Sequence, residues 1–417
     1  MKVFLEVYGC TANKSDASIL RGLINRHPDI HITNDITQSA WTIILTCTVI
    51  ATTEQRMISR IKKINSMGLP IIVSGCMASV QADMLKDLFP DIILVPPQEI
   101  HTIIDIIKHK KINSYHQGKE EIIKSFDTLF APITIAEGCR YQCSYCITSV
   151  ARGSLRSVPI DMISRDVRHA LRQGCKEIQL TAQDTASYGS AISENLGTLL
   201  HRIVSIPGSY RIRIGMMNPR SVKNKIDDII NGMNHSRVYK FLHLPVQSGD
   251  DDILSQMNRG YTIQDFKTIC FSFRHVFPTL SLSTDIIVGF PGETEEQYQR
   301  SIELLNTIQP DFINITRYSA RPYTKAKIMD SRIPTEVVKD RSRRMSALAN
   351  QITKTKNISS IGKTYQVLLL EQEKPGSVMG RTDEYKPVVI HEDLPLGIQV
   401  LVTIIDATEN YLIGILK

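Results

Sequence analysis

Short apolar runs alternate with amphipathic stretches along the first hundred residues of this 417-residue chain. Four runs have the length and composition of buried strands: Val3–Tyr8, Trp41–Leu45, Pro70–Val73 and Asp91–Val95. Segments with a helical spacing of apolar positions lie between them: Ala17–Arg26, Glu54–Asn65 and Ala82–Leu88. Strands that alternate with helices predict βαβ units, so we expect a parallel α/β sheet here.

The same alternation returns after a polar stretch, residues 111–130, which we interpret as a linker. Six further strands are predicted: Pro132–Ala136, Glu177–Thr181, Arg211–Met216, Lys240–Leu244, Leu282–Val288 and Phe312–Thr316. Helical patterns separate most of them, as at Ile160–Gln173 and Glu295–Ile308. Six parallel strands predict a partial (βα)6 barrel, with an active site at the C-terminal ends of the strands.

The pattern changes once more towards the end of the chain. Glu336–Lys356 has the periodicity of one long helix. Five short β-like runs follow it and predict a small all-β barrel of OB-like type: Tyr365–Leu370, Ser377–Arg381, Pro387–His391, Gln399–Ile405 and Leu412–Leu416. We therefore expect five parts: an N-terminal α/β domain (1–110), a linker (111–130), the barrel (131–335), a connector helix (336–358) and the β-barrel (359–417).

Composition narrows the class of protein. A hydrophobic content of 42% and a charged content of 22% are those of an ordinary globular protein. The first ten residues lack the features of a signal peptide, and the apolar runs are about half of a bilayer span, so we expect a cytoplasmic protein without a membrane partner. A net charge of +7 is compatible with a nucleic-acid partner. Eight cysteines in such a chain favour metal binding or catalysis over disulfides.

Three cysteines stand together after the first barrel strand: Cys139, Cys143 and Cys146. Thiolates at this spacing can bind three irons of a [4Fe–4S] cubane, and no nearby fourth cysteine closes the fourth iron. That open iron suits the amino and carboxylate groups of S-adenosylmethionine (SAM), whose cleavage yields a radical. A structural zinc site is the alternative, but it needs a fourth protein ligand that the sequence does not offer at finger-like spacing. We interpret Cys175 and Cys270 as structural.

Three more cysteines each follow a predicted strand of the N-terminal sheet: Cys10, Cys47 and Cys76. Because the carboxyl ends of parallel strands meet on one rim, we expect these residues to become neighbours and to hold a second cluster. The alternative is three buried free thiols, since cysteine is among the most often buried residues.

With both cysteine sets in place, the chain resembles the methylthiotransferase family over essentially its full length. The N-terminal motifs are Tyr8-Gly9-Cys10-Thr11-Ala12-Asn13, Thr46-Cys47-Thr48 and Ser74-Gly75-Cys76-Met77. The barrel motifs are Leu180-Thr181-Ala182-Gln183-Asp184, His243-Leu244-Pro245-Val246-Gln247-Ser248-Gly249, Met257-Asn258-Arg259 and Asp285-Ile286-Ile287-Val288-Gly289-Phe290-Pro291-Gly292-Glu293. The resemblance implies a radical SAM barrel between a cluster-binding domain and a C-terminal TRAM barrel.

The resemblance also implies the chemistry: two [4Fe–4S] clusters, and SAM as both methyl donor and radical source. One SAM methylates a sulfur at the cluster on Cys10, Cys47 and Cys76, and another yields the radical that lets C–SCH₃ replace a C–H bond. An electron donor such as ferredoxin or flavodoxin is implied, and we expect a monomer.

Three substrates are known in the family: threonylcarbamoyladenosine in tRNA, isopentenyladenosine in tRNA, and an aspartate of a ribosomal protein. The segment Cys146-Ile147-Thr148 with Ala151-Arg152-Gly153-Ser154-Leu155-Arg156-Ser157 is most similar to the archaeal and eukaryotic-type threonylcarbamoyladenosine branch. That branch acts next to the anticodon, on the 3′ side. We therefore expect threonylcarbamoyladenosine in tRNA as the substrate. Isopentenyladenosine in tRNA, the ribosomal-protein aspartate and a non-catalytic tRNA-binding scaffold remain alternatives.

Residues for SAM are expected at or near the barrel strand ends, where polar groups and close-approaching backbone can bind it: Gln183, Asp184, Gln247, Asp285, Gly289, Pro291 and Gly292. We interpret His243 as a core histidine.

For RNA, the tail from Ile361 is a poor phosphate binder because it has five Lys/Arg against eight Asp/Glu. The segment Arg317–Asn357 has eleven against three, so we expect counterion release there.

The candidate RNA-binding residues are Arg152, Arg156, Arg341, Arg343, Arg344 and Arg381. Arg381 and Tyr385 could read a base by stacking. A solvated helix face and ordinary surface ion pairs are the alternatives.

Two departures from the family pattern stand out. Tyr323 replaces the glycine of Arg-Pro-Gly-Thr, so we expect the backbone there to lack a glycine conformation. Leu45 replaces the asparagine of Asn-Thr-Cys and removes a polar side chain near Cys47.

Overall fold

The computed structural model describes residues 1–49, 51–109 and 118–417. Residues 111–117 of the predicted linker therefore lie outside the described residues. The chain divides into two compact units. The first consists of Met1–Gly174, Gln179–Gln183 and Ser319–Lys327, and the second of Cys175–Ile178, Asp184–Tyr318 and Ile328–Lys417. Within the described residues, no helix is both long enough and apolar enough to cross a bilayer.

The first unit contains the predicted parallel sheet, which is confirmed. Its strands are β1 (Lys2–Val7), β2 (His31–Thr33), β3 (Trp41–Thr46), β4 (Ile71–Gly75) and β5 (Ile93–Val95). All neighbours pair in parallel, in the order β2-β1-β3-β4-β5. The helices of this part are α1 (Thr11–Asn25), α2 (Ala51–Asn65), α3 (Cys76–Val80), α4 (Ala82–Leu88) and α5 (Ile103–Ile107).

Strand β3 shows why the apolar runs of this sheet are continuous. Ile43 and Leu45 pack into one hydrophobic cluster, with residues of α1, while Ile44 packs into another, with Met57 and Ile61 of α2. Successive side chains point to opposite faces of a strand, so a sheet covered on both faces buries them all.

Helix α1 begins directly after Cys10, and the expected start at Ala17 is wrong. The first turns carry polar residues, which made them look like a loop, but Asn13, Ser15 and Asp16 are buried. Tertiary partners for these polar groups, not an apolar face, stabilise the first turns of the helix.

The remainder of the first unit surrounds the second cysteine loop. It contains β6 (Phe130–Thr134), the two-residue strands β7 (Ala136–Glu137) and β8 (Arg156–Ser157), and helices α6 (Thr148–Arg152) and α7 (Ile160–Arg172). Lys119 and Lys124, in the segment that leads to β6, are buried and ion-paired. That segment is therefore packed into the first unit.

The following strands are β9 (Glu177–Thr181), β10 (Arg211–Ile214), β11 (Phe241–His243), β12 (Ser281–Val288) and β13 (Phe312–Arg317). The helices between them are α8 (Leu196–Val204), α9 (Pro219–Val222), α10 (Ile226–Met233), α11 (Asp251–Gln256), α12 (Ile263–Val276) and α13 (Glu295–Ile308). In the second unit, β11, β12 and β13 form a parallel sheet. Capping boxes open α12 at Thr262 and α13 at Thr294.

The C-terminal part confirms the predicted helix and small β-barrel. Helix α14 (Thr335–Ile358) precedes β14 (Thr364–Lys374), β15 (Ser377–Arg381), β16 (Pro387–Ile390), β17 (Gln399–Ala407) and β18 (Leu412–Leu416). The strands close in the order β14-β15-β16-β18-β17. The inward-facing side chains, among them Val367, Val388 and Val402, form the core of this barrel.

The turn between β15 and β16 packs against the N-terminal ends of strands in the same unit. Tyr385 donates a hydrogen bond from its hydroxyl to Glu177 Oε1 at 3.2 Å. The Arg211 guanidinium pairs with Asp383 at 2.5 Å, and the Lys240 amide donates to the Asp383 carbonyl oxygen at 2.8 Å. Tyr385 is therefore a packing residue of the second unit, which corrects the expectation that it stacks on a base.

Candidate cluster-binding and active site

Cys10, Cys47 and Cys76 lie at the carboxyl ends of three adjacent strands, β1, β3 and β4. Burial, together with a smaller effect of the neighbouring Cys10, raises the pKa of the Cys47 thiol and raises that of Cys76 to about 11. Cys47 acts in the same way on Cys76. The structure thus brings the three predicted ligands to one rim of the sheet.

The side chain of Asn13 holds two of these strand ends together. Its Nδ2 donates to the carbonyl oxygen of Tyr8 at 2.6 Å and to that of Thr46 at 2.9 Å, so one side chain joins the ends of β1 and β3. At the end of β4, Gly75 has φ +92°, and a Cβ there would lie 2.4 Å from the Thr46 carbonyl oxygen. Only glycine tolerates both the conformation and the close approach.

The donor set fits an iron–sulfur cluster better than a single ion. Within residues 1–49, 51–109 and 118–417, no three His, Cys, Asp or Glu side chains converge on one metal ion. A cubane does not require such convergence, because each thiolate binds a different iron. Three thiols on one rim, with a buried arginine beside Cys76, match that requirement.

The second cysteine set lies in a loop that β7 and β8 close by antiparallel pairing. The Cys139 amide donates to the Gly153 carbonyl oxygen at 3.0 Å, and the Cys146 amide donates to that of Cys143 at 3.1 Å. Gly138 has φ +79°, and a Cβ there would lie 2.1 Å from the Ser154 carbonyl oxygen. Cys139, Cys143 and Cys146 are all partly exposed, as a cluster that meets a substrate requires.

Gln183 belongs to the support of this loop. Its Oε1 accepts a hydrogen bond from the Gly138 amide at 2.7 Å, within the first unit. The side-chain oxygen of Gln183 thus fixes the backbone immediately before Cys139. Its role towards SAM remains a prediction.

Arg152 is enclosed, with 2% of its side chain exposed. Nη1 lies 2.7 Å from Asp16 Oδ2 and donates to Glu137 Oε1 at 2.9 Å, and Nη2 donates to Asn13 Oδ1 at 2.7 Å. This corrects the RNA contact predicted for Arg152, because a side chain so enclosed offers no donor to a phosphate. The sequence signal that was missed is the buried Asp16, three residues after Asn13.

Asp184 is also internally satisfied. Its Oδ1 accepts from the amides of Ala186 and Asn218 at 3.2 and 2.9 Å, and its Oδ2 accepts from the hydroxyls of Ser187 and Ser221, both at 2.5 Å. Four donors occupy the four acceptor positions of a carboxylate. Asp184 therefore organises the segment after β9, which corrects its predicted role in binding SAM.

Asp285 lies in a polar row that crosses three adjacent strands of the second unit. Asn314 Nδ2 donates to Asp285 Oδ1 at 2.8 Å, and His243 Nε2 lies 3.1 Å from the same oxygen. Burial raises the pKa of Asp285, but His243, the hydrogen bond from Asn314 and the charge of Arg259 together outweigh it, so the pKa is lowered. The strand-end pattern pointed to Asp285, whereas it missed His243, interpreted as a core histidine, and Asn314.

Gln247 adjoins this row through its backbone. Its amide donates to the Asp285 carbonyl oxygen at 2.8 Å, and its carbonyl oxygen accepts from the Ile287 amide at 2.9 Å. With φ +78°, Gln247 has a left-handed backbone that extends the sheet past the end of β11. Its side-chain role towards SAM remains a prediction.

The segment Gly289–Gly292 is held by groups of the second unit. The Gly289 amide donates to Glu293 Oε2 at 2.9 Å, and the Gly292 amide donates to the Ser331 carbonyl oxygen at 2.7 Å. Pro291 is buried between them. Arg341 Nη1 donates to the Glu293 carbonyl oxygen at 2.9 Å and lies 3.1 Å from its Oε2. Since Arg341 is buried here, its predicted RNA contact is also corrected.

The other basic candidates differ in exposure. The side chains of Arg156, Arg343 and Arg344 are 63%, 79% and 46% exposed. Arg344 pairs with Glu295 and Asp340 at 2.9 Å each. Arg381 lies over the Tyr385 ring at 5.2 Å, with 17% of its side chain exposed. Arg156 and Arg343 are therefore the best placed of the six to reach a phosphate.

Tyr323 adopts a left-handed backbone conformation of the kind that favours glycine. Its φ is +60° and its side chain projects to solvent, 71% of the residue being exposed. The expectation that this backbone would lack a glycine conformation is therefore wrong. The turn places Arg321 inside the first unit, where Nη2 donates to Thr48 Oγ1 at 3.0 Å and the guanidinium pairs with Glu54. This arginine, missed in the sequence, interacts electrostatically with Cys47.

Three family models match successive parts of the chain. The Radical SAM superfamily matches residues 133–305, the uncharacterized protein family UPF0004 matches residues 2–95, and the TRAM domain matches residues 359–417. Among solved structures, the radical SAM methyltransferase TsrM from Kitasatospora setae has a TM-score of 0.57 at 14% identity, covering 78% of this chain and 75% of that one. This likeness, at such low identity, shows the fold alone. Together with the cysteine loop, these matches define a radical SAM enzyme.

Relatives narrow the class. A probable threonylcarbamoyladenosine tRNA methylthiotransferase from Pyrococcus abyssi is 39% identical over 429 aligned residues, covering 99% of both chains. The ribosomal protein uS12 methylthiotransferase RimO from Natranaerobius thermophilus is 30% identical and covers 93% of this chain and 91% of its own. The chain belongs to the methylthiotransferase family of radical SAM enzymes.

Proposed function

We propose that this enzyme methylthiolates tRNA, converting N6-threonylcarbamoyladenosine on the 3′ side of the anticodon to its 2-methylthio derivative. The observation that carries the proposal is the gathering of Cys10, Cys47 and Cys76 on one strand-end rim, in the compact unit that also holds the radical SAM loop. Sulfur insertion would use that second set, because the cysteine loop alone would supply only the radical. The cytoplasm is where such a substrate would be met.

Each cysteine set has a distinct task. When bound, a [4Fe–4S] cluster on Cys139, Cys143 and Cys146 would supply the electron that cleaves SAM, and one on Cys10, Cys47 and Cys76 would present the sulfur to be transferred. The chain's own contribution is to hold the thiols in place. Asn13 fixes the rim of the sheet, and the pairing of β7 with β8 closes the cysteine loop.

The polar row of the second unit is suited to orient a bound ligand. Asp285, held by His243 and Asn314, stays ionised because its pKa is lowered. An ionised carboxylate accepts hydrogen bonds from amine or ribose hydroxyl donors, both of which SAM carries. We propose Asp285 and the Gly289–Gly292 backbone as its contacts.

The tRNA substrate is favoured over a ribosomal protein by the Pyrococcus relative, whose identity of 39% exceeds the 30% of the uS12 enzyme. Exposed Arg343 and Arg156 are the groups we propose for phosphate contacts. The adenosine lies in a loop, so its extrusion costs only a few kcal/mol.

The test of the substrate is mass spectrometry of tRNA nucleosides from a strain in which the gene is deleted. We expect 2-methylthio-N6-threonylcarbamoyladenosine to disappear and its unmodified precursor to accumulate, and a plasmid copy to restore it. Persistence of the methylthio form, or its loss from isopentenyladenosine instead, contradicts the proposed substrate.

The test of two clusters is an iron and sulfide determination on the anaerobically reconstituted chain. We expect about eight of each per chain, and about four in Cys10→Ala or in Cys139→Ala, since each set holds one [4Fe–4S] cluster. Release of 5′-deoxyadenosine should survive in Cys10→Ala and stop in Cys139→Ala. A value near four in the unaltered chain contradicts the second cluster.

A further inference from the structure

Four charged side chains of the first unit form a buried network close to both cysteine sets. Asp16, Lys119, Glu137 and Arg152 are each less than 8% exposed. Lys119 Nζ lies 3.2 Å from Asp16 Oδ1 and 2.6 Å from Glu137 Oε1, so both carboxylates face Lys119 and Arg152. Two cations and two carboxylates leave the network without net charge. Burying four charges is costly, and it does not by itself stabilise a fold.

The network touches both cysteine sets through neighbouring residues. Glu137 is two residues before Cys139, and Arg152 ends helix α6, which begins two residues after Cys146. Asn13, three residues after Cys10, accepts from Arg152 at 2.7 Å. One side chain, Arg152, thus connects helix α6 of the cysteine loop with helix α1, which follows Cys10.

Arg152 also reaches a predicted ligand. Helices α3 and α6 pack through Cys76, Val80, Ile147 and Ala151, which brings the Arg152 guanidinium beside Cys76. The positive charge of the guanidinium acts on the Cys76 thiol and lowers its pKa against the effect of burial. Because Asp16 and Glu137 hold Nη1 and Asn13 holds Nη2, the guanidinium is preorganised beside Cys76.

We infer that Arg152 is a positioning residue for the cluster on Cys10, Cys47 and Cys76, an inference that rests on the second cluster proposed above. Arg152 fixes the Cys76 thiolate and raises the reduction potential of that cluster. The physical reason is charge. A positive charge beside a ligand sulfur favours the reduced cluster, which carries one more negative charge. In a dry site this interaction is strong because little water screens it.

The reduction potential separates this role from a purely structural one. The full-length chain with both clusters is titrated anaerobically with dithionite and followed by electron paramagnetic resonance, with and without SAM. The signal that SAM does not alter belongs to the cluster on Cys10, Cys47 and Cys76. In Arg152→Gln we expect the ratio of reduced to oxidised cluster at a fixed potential to fall about tenfold, which corresponds to a reduction potential lower by ~59 mV for a one-electron couple.

Arg156→Gln is the matched control. Arg156 faces the other oxygen of the same Glu137 at 3.8 Å, but its side chain is 63% exposed, so water screens its charge. We expect this variant to leave the potential unchanged. Arg152→Lys keeps the charge but not the planar fork, so its potential should fall between those of the unaltered chain and Arg152→Gln.

The outcomes are distinct. An unchanged potential in folded, fully loaded Arg152→Gln overturns the inference. If Arg152→Gln does not bind its clusters, Arg152→Lys decides the question. Selective loss of the SAM-insensitive signal, or a lowered potential of that signal, supports the inference. Equal loss of both signals, with a lowered melting temperature of the cluster-free protein, overturns it. A single cluster in the unaltered chain instead refutes the proposed function.

Discussion

Replacing Tyr385 tests whether the turn between β15 and β16 anchors the C-terminal barrel or reads RNA. The ring meets those of Tyr239 and Phe241 with centroids at 4.9 and 5.0 Å, and such aromatic pairs contribute about 0.5–1.5 kcal/mol each. The guanidinium groups of Arg213 and Arg381, each at 5.2 Å, add about 0.5–1 kcal/mol apiece.

The expected losses follow from these contacts. Tyr385→Ala should destabilise the second unit by about 3–5 kcal/mol, the usual cost of truncating a packed aromatic side chain. Tyr385→Phe removes only the hydrogen bond to Glu177, which keeps the Tyr239 hydroxyl at 3.1 Å as a second partner. We expect this variant to lose about 1 kcal/mol.

Hydrogen exchange of the intact chain is the appropriate assay, because unfolding of a chain with several domains is not two-state. Amides of β15 and β16 should exchange faster in Tyr385→Ala and nearly normally in Tyr385→Phe. A base-stacking role predicts the opposite: normal exchange in both variants and a loss of tRNA affinity worth about 1–3 kcal/mol in Tyr385→Ala alone. That result would refute the anchoring role.

Three further predictions follow from the structure. Arg343→Gln should weaken tRNA binding, lower the salt slope of binding by about one phosphate contact and leave the melting temperature unchanged. Arg341→Gln should instead lower the melting temperature, because Glu293 loses a buried partner. A salt slope in Arg343→Gln equal to that of the unaltered chain would contradict the phosphate contact. Tyr323→Gly should be neutral or stabilise by up to about 1 kcal/mol in thermal unfolding, since glycine adopts φ +60° without strain, and a clear destabilisation would contradict this. Asn13→Ala should lower the free energy of unfolding by about 1–3 kcal/mol, because two strand-end carbonyls and Arg152 lose a partner. The iron content after reconstitution should fall towards about four per chain. The exposed control Asn25→Ala should leave the iron content unchanged.

The sequence predicted the regular elements well where their pattern was strong. The bounds of Ala82–Leu88, Glu177–Thr181, Glu295–Ile308, Ser377–Arg381 and Leu412–Leu416 agree with the structure. It missed β2, with only three residues, and the early start of α1, where buried polar residues resemble a loop. Local pattern is informative when apolar burial decides the element, and it fails when a tertiary partner does.

By itself, the sequence determined the positions of both cysteine sets, because strand ends and close spacing are visible in a linear pattern. It also predicted a parallel α/β domain, a second strand–helix series and a small all-β barrel, which the family resemblance identified as the cluster-binding, radical SAM and TRAM parts. What only the tertiary structure decided was the use of the charged side chains. Arg152 and Arg341 looked like free cations, yet each is enclosed with carboxylates from distant segments, Asp16 and Glu293. Whether a charge faces water or a partner depends on which segments the fold brings together, and no local periodicity records that.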